Sequence, residues 1–186
     1  LKSNYKYFLL ITLIHSILSV ALYYRYGVKV VNDSRYYLES VSKFAEEGYI
    51  DGHSFWYFTY ILFIYVLYTF FENPAWLVLI QNILTLGSVL VIFQFSYHWF
   101  GNRKGALFAS LGYLLFLEQL TWSFYILTEA IYAPVLCFVF YGLWRLDKGI
   151  SSSWYFKTLL FIALVFAFFI KPTGLALLIA LGIAVF

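Results

Sequence analysis

Residues 7–24 read YFLLITLIHSILSVALYY, a run without a charge, bounded by Lys6 and Arg25. A helix needs roughly 20 mostly apolar residues to cross a hydrocarbon core. This run is too long for a signal-peptide core and lacks a small-residue cleavage site, so it is expected to be a retained first span. Working outward, similar runs are expected to give further spans. The six are placed at about 7–26, 75–100, 106–125, 129–146, 154–170 and 172–186. Glu118 lies within the third.

Composition agrees with this pattern. The 186 residues are 63% hydrophobic and only 11% charged, against about 25% charged in ordinary soluble domains. A soluble core of this size cannot bury so much apolar surface. A soluble domain, a disordered tail and a nucleic-acid-binding module are excluded. An all-α, polytopic transmembrane bundle remains. The net charge of +3 is too small to indicate a polyanionic partner. The single cysteine, Cys137, permits neither an internal disulfide nor a cysteine metal site. The chain begins at Leu1, contains no methionine and stops at Phe186 inside an apolar run. It is therefore expected to be the N-terminal piece of a larger protein, one partial transmembrane domain over 1–186.

The segment 27–74 is expected to form an external loop. Asn32 or Asp33 can cap a helix there. Residues 34–47 read as amphipathic, with Tyr37, Val41, Phe44 and Ala45 on one face. Gly48 suits the position just past the helix end. The run 53–71 is about half aromatic, and tyrosine and tryptophan prefer the membrane interface. It is expected to lie in the interface or to re-enter.

Basic residues leave two topologies open. With a cytoplasmic N-terminus and a non-crossing 53–71 run, Lys2, Lys6, Arg103, Lys104, Arg145, Lys148 and Lys157 lie inside, seven of the twelve. With an outward N-terminus and a crossing run, nine lie inside. Charge counting alone favours the second. Both place Glu129 and Lys171 outside and differ over the loop holding Asp33.

Ionisable groups at membrane depth call for a functional hypothesis. Asp33 reads as a general base or as a helix cap. Glu129 reads as a second carboxylate facing a shared cavity, or as a first-turn acid behind a Thr128 cap. Lys171, in Lys171-Pro172-Thr173-Gly174, reads as an anion site or as a snorkelling end to the fifth span. Glu118 is expected to face the bundle interior. His15, His53 and His98 lack metal-ligand spacing, and no glycine-rich nucleotide loop occurs. No metal ligand set is assigned.

The order of these features resembles a known family. A first span is followed by Asn32-Asp33-Ser34-Arg35-Tyr36-Tyr37, a loop helix and an aromatic run. A span then ends Trp99-Phe100-Gly101-Asn102-Arg103-Lys104. Leu127-Thr128-Glu129-Ala130 opens another, and Lys171-Pro172-Thr173-Gly174 closes the set. This resembles the N-terminal half of the membrane core of GT-C glycosyltransferases, in the branch of protein O-mannosyltransferases and the lipid A aminoarabinose transferase.

The resemblance implies the first topology and an enzyme that moves a sugar from a polyprenyl-phosphate donor, usually with inversion. The acceptor would be a protein, lipid or glycan on the non-cytoplasmic side. It implies Asp33 as the catalytic carboxylate, Glu129 as the second acidic residue and Lys171 as the contact for the donor phosphate. Arg35, Tyr36, Tyr37, Trp56 and Glu118 are candidate sugar or lipid contacts. The family often has an acidic pair after the first span; here Ser34 follows Asp33. Membrane lipid is an expected partner, a divalent metal is left open, and a bacterial cytoplasmic membrane is expected over endoplasmic reticulum. A multi-span transporter or lipid-linked sugar flippase, and a non-catalytic membrane scaffold, are the competing readings.

Overall fold

The computed structural model describes residues 4–150 and 153–176. The long uncharged runs become helices because, away from water, the backbone must satisfy its own polar groups. The elements are α1 (Tyr5–Tyr26), α2 (Asn32–Glu47), a 3-10 turn (Ser54–Tyr57), α3 (Phe58–Phe71), α4 (Pro74–Phe100), α5 (Arg103–Leu115), α6 (Leu117–Trp122), α7 (Glu129–Asp147) and α8 (Trp154–Ile170). Among the described residues the regular structure is all-α, apart from one isolated parallel bridge between Lys29 and Tyr125.

Helix α4 is the axis of the bundle. Asn73 caps it by accepting from the Ala75 N–H at 2.8 Å, and Pro74 fills the first turn, where its missing N–H costs nothing. It ends at Gly101, whose φ of +67° is the left-handed conformation that glycine adopts freely. Asn102 then accepts from the Gly105 N–H at 2.6 Å and starts α5. One short polar turn thus closes one helix and opens the next.

Side-chain contacts fix the relative directions. Ser19 of α1 bonds to Asn82 of α4, and Phe8 packs edge-on to Phe93. Helix α1 therefore runs antiparallel to α4. Gly87 faces Phe138, and Phe95 meets Trp144, so α7 runs parallel to α4. Helix α8 returns along α7, with Leu160 against Gly142. Small residues at such crossings let membrane helices approach closely and gain dispersion contacts. One end of the bundle consequently gathers the end of α1, the starts of α4 and α7, and the end of α8. The opposite end holds the Asn4–Arg103 hydrogen bond and Arg145 over the Phe156 ring.

Four helices are long and apolar enough to cross a membrane: Tyr5–Tyr26, Ser54–Phe71 (the 3-10 turn with α3), Pro74–Phe100 and Glu129–Asp147. That is the pattern of a multi-pass membrane protein. Among the described residues, six continuous spans are not seen. The expected third span, 106–125, breaks at Phe116, whose ψ of 80° departs from helical geometry, and is split into α5 and the short α6. Helix α8 has 17 residues. Of the expected sixth span, 172–186, residues beyond 176 lie outside the described residues.

The run 53–71 begins and ends at the same end of the bundle. Phe55 packs edge-on to Phe169 at the end of α8, while Phe71 stacks on Trp76 in the first turn of α4. Its inner face buries Tyr60, Ile61, Ile64 and Leu67.

Helix α2 starts at Asn32, two residues before the expected start, and ends as expected at Gly48 (φ +64°). Its buried face is Ser34, Tyr37, Ser40 and Val41, with Phe44 half-buried. Ala45, expected on that face, is exposed. The core it joins is shared with α3, α4, α7 and α8.

Candidate functional site at one end of the bundle

The site is assembled by a short non-helical strap, residues 123–128, between α6 and α7. The strap is held from two sides. On one, the Lys29 N–H donates to the Phe124 carbonyl at 2.8 Å and the Ile126 N–H donates to the Lys29 carbonyl at 3.2 Å. On the other, the fully buried Gln81 amide donates to the carbonyls of Ser123 and Tyr125, both at 2.9 Å. These bonds satisfy carbonyls that have no helical partner, which matters in an apolar setting. They also bring the linker before α2 beside the start of α7.

At the start of α7, Glu129 forms an ion pair with Lys171, which follows the last residue of α8. Glu129 Oε1 takes the ammonium, and Oε2 accepts from the Thr128 hydroxyl at 3.0 Å. The two charges suit their positions. An acid is favoured at a helix start and a cation at a helix end. The side chains of Lys171 and Glu129 are 29% and 30% exposed, so the pair is reachable from outside.

Tyr37 links this pair to α2. It is only 5% exposed and packs edge-on to Tyr60 at 5.1 Å between ring centroids. Burial pushes its phenol well above the ordinary value. A hydrogen bond with Thr128 opposes that shift, while Tyr57 and the carboxylates of Glu129 and Asp33 add to it. The phenol therefore stays protonated at neutral pH.

Asp33 is exposed, in the first turn of α2. It does not cap that helix, and neither does Asn32. The N-cap position is Val31, and Ser34 reaches back so that its Oγ accepts from the Val31 N–H at 3.0 Å. Among the described residues Asp33 makes no ion pair with Lys171. Of the three charged candidates, Glu129 and Lys171 form a closed pair, and Asp33 stands in the first turn of α2. Thr128 does not cap α7 either, because its hydroxyl is committed to Glu129.

The remaining candidates divide. The Tyr36 hydroxyl is 2.6 Å from Ser54 Oγ, which is 3.0 Å from Ser40 Oγ, a small hydroxyl network joining α2 to the 3-10 turn. Tyr36 also meets the His53 ring edge-on. Arg35 and Trp56 are exposed at the same end. Glu118 departs from expectation: it is exposed on α6 instead of facing the interior. The break at Phe116 re-aims the helix that carries it. Among the described residues, no group of three or more His, Cys, Asp or Glu side chains can hold a metal ion. A groove of about 410 Å³ opens between α1 and α4, lined by residues such as Tyr23, Val78, Asn82 and Phe124, and includes none of the three charged residues.

Gln81, Lys29 and Thr128 are parts of the site that sequence reading did not single out as such. A polar Gln81-Asn82 pair inside an otherwise apolar run was the available signal. No family model, curated protein or solved structure matches the chain.

Proposed function

We propose that this chain is part of the membrane core of a GT-C-type glycosyltransferase. It would move a sugar from a polyprenyl-phosphate donor to an acceptor protein, lipid or glycan at the non-cytoplasmic surface. The observation that carries this reading is the half-buried Lys171–Glu129 pair at one end of an apolar bundle, with Asp33 exposed in the first turn of α2 at that end.

The chemistry follows from the positions. A polyprenyl tail lies in the lipid, and its phosphate comes to the surface where Lys171 stands. As the bond between the sugar carbon and the phosphate oxygen breaks, its electron pair goes to the phosphate. Lys171 stabilises that growing charge. Asp33, exposed in the first turn of α2, takes the proton from the attacking acceptor group. Attack from the face opposite the leaving phosphate gives inversion. Glu129 orients the acceptor. Tyr36 and Trp56, aromatic and at the same end, offer faces for sugar rings.

The test is direct. The chain in lipid nanodiscs is given a polyprenyl-phosphate sugar and a panel of acceptors, and products are read by mass spectrometry. Transfer that disappears in Asp33→Asn, with folding intact, supports the reading. Full transfer in Asp33→Asn removes Asp33 as the base.

A further inference from the structure

We propose that Glu129 occupies, in the resting protein, the place on Lys171 that the phosphate of the ligand takes, so that phosphate binding must displace it. The proposal deepens the reading above, because it takes Lys171 as the phosphate contact.

The geometry has three parts. First, one Glu129 oxygen is on the Lys171 ammonium and the other accepts from Thr128 Oγ1 at 3.0 Å. Both carboxylate oxygens are engaged, so the closed pair holds Glu129 turned toward Lys171 and Thr128. Second, a carboxylate and a phosphate present the same kind of acceptor oxygens to an ammonium, and they compete for it. A phosphate carrying up to two negative charges wins that exchange more readily than a neutral ligand does. Third, the two side chains are about 30% exposed. An anion can therefore reach the pair without the bundle opening.

One consequence is an order of events. Phosphate arrives first, takes Lys171 and frees Glu129. The released carboxylate then turns to the acceptor. An acceptor that comes first finds the second carboxylate turned toward Lys171. The pair acts as a lock that the phosphate group opens.

The experiment measures binding, independent of transfer. Inorganic phosphate and farnesyl phosphate are titrated separately into the full chain in nanodiscs, and affinity is read by calorimetry. Removing the competing charge in Glu129→Gln is expected to tighten binding by roughly fivefold, the equivalent of about 1 kcal/mol for a partly exposed pair. Tightening for both probes supports the lock with a site open to free phosphate. Tightening for farnesyl phosphate alone supports the lock with a site entered from the lipid. Unchanged or weaker binding of both overturns it. A gain that survives Lys171→Ala in the Glu129→Gln background also overturns it, because the gain must pass through Lys171. Glu129→Asp retains the charge on a shorter arm and should give an intermediate gain, which keeps the proposal testable if the glutamine variant folds poorly. Tightening without sugar transfer from any donor removes the transferase reading and leaves the lock. Transfer without tightening does the reverse.

Discussion

Lys29 and Tyr125 face each other in a parallel bridge although 96 positions separate them, and this contact joins the linker before α2 to the strap before α7. Asp33 lies four residues after one partner and Glu129 four residues after the other. The bridge therefore sets the start of α2, which carries Asp33, against the strap that leads into α7, which carries Glu129.

The first prediction concerns the buried anchor of that strap. Gln81→Leu keeps the volume but removes both donors from the Ser123 and Tyr125 carbonyls. Destabilisation of about 1–3 kcal/mol is expected, since buried acceptors lose their partners. Denaturant unfolding in detergent measures it. A disulfide between Lys29→Cys and Tyr125→Cys, in a Cys137→Ser background, should form several-fold more slowly in the Gln81→Leu protein. An equal rate would show that Gln81 does not hold the strap.

A second prediction addresses the Lys171 turn. The Gly174 N–H donates to the Lys171 carbonyl at 2.8 Å. A Cβ at Gly174 would lie 2.6 Å from the Phe168 Cα and 2.7 Å from the Ala167 carbonyl oxygen. Those are backbone atoms that cannot rotate away. Gly174→Ala should cost about 1–3 kcal/mol and weaken phosphate binding by shifting Lys171. Gly142→Ala is the contrast. Its Cβ would meet the flexible Leu160 side chain at 2.7 Å, which can move, so phosphate binding should be unaffected. Equal binding losses in both variants would count against a specific turn.

Tyr37 supplies the third prediction. Tyr37→Phe retains the ring packing and should change stability by about 1 kcal/mol, the usual net worth of one hydrogen bond. Tyr37→Ala should cost about 3–5 kcal/mol, as large buried aromatics do. The pH dependence has a definite sign. The folded phenol titrates above the ordinary tyrosine value of about 10. Its contribution is fully present below that value and is lost as pH rises beyond it, because the unfolded chain ionises first. Unfolding followed between pH 8 and 12 should therefore fall less steeply above pH 10 in Tyr37→Phe. Parallel curves would show that burial does not suppress ionisation.

Much of the architecture was legible in the sequence because its signals are local. The uncharged 7–24 run became α1, the span expected at 75–100 became α4, and Gly48 closed α2. The departures are non-local. Apolar residues continue smoothly through Phe116, so the break between α5 and α6 leaves no trace in periodicity. The caps were misread for a related reason. Asn32, Asp33 and Thr128 have capping side chains, but Ser34 and the Thr128–Glu129 bond settle the ends differently. Glu129 and Lys171 were each singled out separately; that they neutralise one another depends on α8 folding back along α7, which no short motif encodes.

A fourth prediction separates chemistry from support. Lys171→Ala should lower stability by no more than about 1 kcal/mol, the usual worth of a partly exposed pair. It should nevertheless raise the donor KM several-fold and also lower kcat at saturating donor, because the growing phosphate charge loses its partner. Loss of stability without any change in KM or kcat would make Lys171 a structural end to α8 alone.

Membrane sidedness tests the account most directly. Single cysteines are placed by Asp33→Cys and by Asn102→Cys, both in a Cys137→Ser background; both positions are exposed and lie at opposite ends of the bundle. A membrane-impermeant maleimide should label position 33 from the non-cytoplasmic face of intact cells and position 102 only after permeabilisation. Labelling of position 33 from the cytoplasmic side, or of both positions from one side, would contradict an external site built on Asp33, Glu129 and Lys171.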